Sequence, residues 1–95
     1  MQLVLAIVHS DDAERVVDAL TGADFRVTQI NTLGGFFKRP NATLLIGVEP
    51  AQVEEVIGYI RANCTPPPEP RPVKDGIPMS AATIFVLEAK QFVRI

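Results

Sequence analysis

The stretch Leu3-Val4-Leu5-Ala6-Ile7-Val8 is apolar at every position. A strand with one wet face alternates, so this unbroken run asks for cover on both faces, as a central strand does. Directly after it, Ala13, Val16, Val17 and Leu20 recur at three-four spacing, which predicts an amphipathic helix over residues 10 to 22. Asp11 and Glu14 stand at capping-box spacing, Asp12 adds favourable charge to the first turn, and Gly22 offers a C-terminal stop.

Phe25 to Asn31 alternates, with Phe25 and Val27 on one face and Arg26 and Thr28 on the other, before Ile30 breaks the register. A third strand is predicted from Ala42 to Val48, where Gly47 marks a bulge or the close approach of another backbone or ligand. Pro50 pre-sets a helix start, and Val53, Val56, Ile57 and Ile60 form one apolar stripe running to about Asn63. Between Cys64 and Pro78 lie prolines 66, 67, 68, 70, 72 and 78, a density that excludes helix and central strand and predicts an extended loop over residues 64 to 80. Strand character returns from Ala82 to Leu87, and Phe92, Val93 and Ile95 form an apolar tail.

Strand, helix, strand, strand, helix, strand is the α+β, ferredoxin-like βαββαβ arrangement. Two helices cover only one face of such a sheet, yet strands one, three and four carry apolar residues on both. The uncovered face therefore asks for a partner. A homo-oligomer with its sheets packed inward satisfies it, and three-fold closure is one way to build one.

With 95 residues the chain is read as a single domain, 1 to 95. Its net charge of -2 has no global pull on nucleic acid or anionic membrane, so neither is an expected partner and an anion site must be local. The N-terminus lacks the cationic start of a signal peptide, and no run approaches the roughly 18 apolar residues of a membrane span. One cysteine, Cys64, makes no internal disulfide, and these features together point to a cytoplasmic location. His9 and Cys64 form no nucleophile, base and orienter set and no metal-ligand spacing, so neither catalysis nor a metal or cofactor is expected.

The functional segment is placed at residues 28 to 43, where Gly34-Gly35, Phe36-Phe37, Lys38-Arg39 and Asn41-Ala42-Thr43 sit together. Bare amides, aromatic faces, positive charge and an amide side chain suit an anionic, base-containing ligand such as a nucleotide. Simpler readings exist for each part. Paired glycines serve hairpin turns, an arginine beside a threonine on a strand serves cross-strand pairing, and the phenylalanines serve subunit packing.

Phe25-Arg26-x-Thr28, Gly34-Gly35-Phe36-Phe37-Lys38-x-x-Asn41-x-Thr43, Gly47-Val48 and Ala82-Thr83-Ile84-Phe85-Val86 resemble the PII-like cyclic di-AMP receptor family of bacteria, within the nitrogen regulatory PII superfamily. The resemblance implies a trimeric signal-transduction protein that binds one cyclic dinucleotide in each cleft between subunits and catalyses nothing. It also implies that Arg26 and Thr28 contact the base and phosphate side of the ligand. Gly35, Phe36 and Phe37 would line it, and Asn41 and Gly47 would complete the pocket.

Departures from the family pattern are Asp24 for asparagine, Leu33 for threonine, Pro40 for glycine, Ala42 for threonine, and Ser80-Ala81 for a glycine pair. They keep an alternative open: a PII-like interaction module that binds another adenine nucleotide or none, and recruits a protein partner through its loops. A metal-tolerance protein of the related trimeric fold is a weaker reading, since the chain has one His and one Cys.

Overall fold

A computed structural model describes residues 1–32, 41–65 and 81–95. Strand β1 (Gln2–His9) leads directly into helix α1 (Ser10–Gly22); β2 (Val27–Thr32) and β3 (Asn41–Val48) follow. A 3-10 turn (Pro50–Gln52) opens α2 (Val53–Asn63), and β4 is Ala82–Glu88. The sheet runs β2-β3-β1-β4, antiparallel throughout, with β1 inside it as its apolar run requires.

Both helices lie on one face. Val4, Ala6 and Val8 of β1 and Ala42, Leu44, Ile46 and Val48 of β3 are buried there against Val16 and Leu20 of α1 and Val56 and Ile60 of α2. Each of the valines, leucines and isoleucines contributes about 1.5–3 kcal/mol by leaving water, and the two alanines less. Phe25 joins this core and meets the Tyr59 ring edge-on at 6.3 Å, so the chain is already committed to the core before β2 begins.

The opposite face carries Leu3 and Leu5 of β1, Leu45 of β3 and Phe85 and Leu87 of β4, and no described element covers it. Phe85 and Leu87 are 42% and 48% exposed. Ile30 belongs to the same face. The β2–β3 ladder runs unbroken from Val27↔Ile46 to Thr32↔Asn41, so Ile30, 44% exposed, is part of the uncovered apolar face and not the register break its sequence position suggests.

Helix ends differ from the sequence expectation in two places. No side chain caps α1, whose N-cap is His9, so the Asp11/Glu14 capping box does not form. At the other end the left-handed residue is Asp24 (φ 68) and not Gly22. Phe25 N–H donates to Leu20 O at 2.9 Å and Asp24 N–H to Thr21 O at 3.1 Å, the two bonds of a Schellman ending. Aspartate tolerates this backbone better than most residues.

Asp12, 2% exposed, stands in the first turn of α1 as expected and does more than charge it. Its carboxylate accepts from the Arg15 guanidinium, from Thr65 N–H at 3.2 Å and from the Thr65 hydroxyl at 2.9 Å. The first turn of α1 is thereby tied to Thr65, two residues past the end of α2. The residues between Thr65 and Ala81, which include the prolines, lie outside the described residues.

Candidate functional site

The uncovered face ends in a concavity of about 780 Å³. It forms where the start of β1, the approach to β2 and the end of β3 meet at one end of the strands. Arg26 and Thr28 reach it from β2 and its approach because alternation turns both to the face away from the helices. Pairing of Thr28 with Leu45 brings Gly47, two residues farther along β3, to the same floor.

Gly47 pairs with Leu3 in continuous register, so no bulge forms there. A Cβ at Gly47 would lie 3.9 Å from Met1 Sδ, an ordinary contact, so backbone crowding does not require this glycine. Its missing side chain instead leaves the floor of the concavity open.

Three further contributions were not singled out from the sequence as site residues. Asp24 lines the wall beside Arg26, set there by the Schellman ending. Gln52 comes from the 3-10 turn, where its side-chain oxygen also accepts from Glu49 N–H at 3.0 Å. The tail returns across the opening with Gln91, Phe92 and Arg94, held by Ala89 N–H donating to Met1 O at 3.0 Å. Arg94 sits over the Phe92 ring, 5.7 Å from its centroid. Only the tail's apolar character hinted at a contact, because its return to Met1 depends on β4 pairing with β1.

Asn41 is not with this group. It begins β3, six residues from Gly47, or about 20 Å along an extended strand. It is 3% exposed and pairs across to His9 and Thr32. Gly35, Phe36 and Phe37 lie outside the described residues, as do Lys38, Arg39 and the departures Leu33, Pro40 and Ser80. The ends of the 28–43 segment are strand: Thr28 to Thr32 in β2 and Asn41 to Thr43 in β3.

Chemically the concavity offers two guanidinium groups, one carboxylate, one hydroxyl and an apolar wall from Leu3, Leu45 and Phe92. Guanidiniums match phosphate oxygens in geometry and charge, and apolar or aromatic walls accept a base. Among the described residues no group of three or more His, Cys, Asp or Glu side chains is placed to hold a metal ion. No described helix is long and apolar enough to cross a membrane.

A crystal structure described as a functionally unknown protein from Pediococcus pentosaceus ATCC 25745 is 33% identical, with a TM-score of 0.78 over 99% of this chain and 96% of that one. Residues 1–69 match the family model described as cyclic-di-AMP receptor. That match takes in β1 through α2, with Arg26, Thr28 and Gly47 among the residues covered, and on it the chain belongs to the cyclic-di-AMP receptor family.

Proposed function

We propose that this protein is a cytoplasmic, PII-like signal-transduction protein that binds a cyclic dinucleotide, with cyclic di-AMP as the first candidate, in clefts between the subunits of a homotrimer, and that it catalyses no reaction. The observation that carries the reading is the convergence of Arg26, Thr28 and Gly47 on one concavity of the uncovered sheet face. Membership of a receptor family supports the ligand class.

Two features support a site shared between copies. The face bearing Leu5, Phe85 and Leu87 is apolar and has no described element over it, which suits burial against a second sheet. Asn41 lies a strand's length from Arg26 and Thr28, and a neighbouring copy is the simplest way to bring its end of the sheet to theirs. Gly35, Phe36 and Phe37 would then come to the ligand along with Asn41, their close neighbour in sequence.

Calorimetry against cyclic di-AMP, cyclic di-GMP and linear adenine nucleotides tests this, together with sedimentation. A trimer mass and heat with a cyclic dinucleotide are the expected results, with Arg26→Ala weakening affinity by about tenfold or more, as loss of a charge-assisted contact does. Absence of heat with every cyclic dinucleotide overturns the reading.

A further inference from the structure

We propose that Asp24 sets base preference in this concavity, tilting it away from adenine and toward a base that presents two adjacent N–H donors, as the Watson–Crick edge of guanine does. The inference rests on the cyclic-dinucleotide reading above and departs from it in one respect, placing a guanine-containing cyclic dinucleotide ahead of cyclic di-AMP. Asp24 lines the same wall as Arg26. Its backbone is held in place by the bonds that flank it, Asp24 N–H to Thr21 O and Phe25 N–H to Leu20 O. Among the described residues no hydrogen bond or ion pair engages its carboxylate, which leaves both oxygens to a ligand.

An ionised carboxylate only accepts. Adenine presents its N6 donor between two ring acceptors, so one carboxylate oxygen takes the N6 proton while the other meets a ring lone pair. An amide side chain matches that edge with one donor and one acceptor. Guanine presents N1–H and the N2 amine side by side, and both carboxylate oxygens are used. Arg26 and Arg94 line the same concavity and offset the repulsion between Asp24 and the ligand's phosphates.

Asp24→Asn is the test, because asparagine has the same shape and tolerates φ 68 equally well. Loss of the negative charge strengthens binding of every cyclic dinucleotide alike, so the readout is a ratio and not an affinity. Dissociation constants for cyclic di-AMP, cyclic di-GMP and the mixed cyclic GMP-AMP are measured for both proteins, with Tm confirming that each is folded. The substitution is expected to move the ratio toward cyclic di-AMP by about tenfold or more. An unchanged ratio, with the ligands still binding, overturns base selection by Asp24 and leaves the cyclic-dinucleotide reading standing. No binding of any of the three to either protein overturns both.

Discussion

Thr65 donates both its backbone N–H and its hydroxyl to the carboxylate of Asp12, a residue fifty-three positions earlier (3.2 and 2.9 Å). Asp12→Ala removes an acceptor that is itself out of water and is expected to destabilise the fold by about 2 kcal/mol, the scale for hydrogen bonds to a charged group. Thr65→Val keeps the backbone bond and costs about 1 kcal/mol. Arg15, mostly exposed, adds little, as surface ion pairs do. Urea unfolding of the two single variants and the double variant checks this, and a double variant that costs the full sum refutes the coupling.

Cys64 sits beside this cluster. Burial pushes its thiol up from 9.0 to about 11, the Asp12 carboxylate pushes the same way, and Arg15 partly opposes them. The folded chain therefore holds the thiol proton more tightly than the unfolded one. This contribution is complete below about pH 9 and is lost as pH rises toward about 11. Iodoacetamide alkylation in native buffer at pH 8 is expected to run about a hundredfold slower than for a free cysteine, since the thiolate is the nucleophile. Rates equal to the unfolded chain would contradict it.

Ile60 of α2 is fully buried in the same cluster as Leu20 of α1. Ile60→Ala leaves a cavity where the two helices meet the sheet, and an expected loss of about 2–5 kcal/mol is readable by thermal or urea unfolding. A loss below 1 kcal/mol would mean that α2 packs less firmly than its burial indicates.

On the other face, Leu87 is half exposed and pairs with Leu3 of β1. If the proposed homotrimer closes through this face, Leu87→Glu leaves the secondary structure intact by circular dichroism while lowering the sedimenting mass to that of the single chain. Retention of the wild-type mass would place the subunit contact elsewhere.

Much of this architecture was legible in the apolar patterning. The runs at residues 3–8 and 82–87 and the stripes at 13–20 and 53–60 each became the expected element, because burial on one or two faces leaves its period in the sequence. Asp12 shows the limit: its best partner, Thr65, stands across the fold, and no local spacing records that. The Ile30 misreading has a similar origin. An apolar residue on the side away from the helices looks like an error in alternation until the sheet is known to have a second apolar face. Arg26 and Thr28 were legible as neighbours on one strand, whereas Arg94 needed β4 to be paired before its return could be seen.

β1 lies between β3 and β4, so its two neighbours arrive at different times during synthesis. β3 is complete by Val48, but β4 ends only at Glu88. Until the ribosome has passed that point, Leu3, Leu5 and their neighbours stand on an open edge of a three-stranded intermediate. Such an edge invites pairing with other nascent chains. The most apolar strand of the molecule is thus also the one that waits longest for its second neighbour, and the speed at which residues 49 to 88 are translated bears directly on how much of the protein is recovered folded.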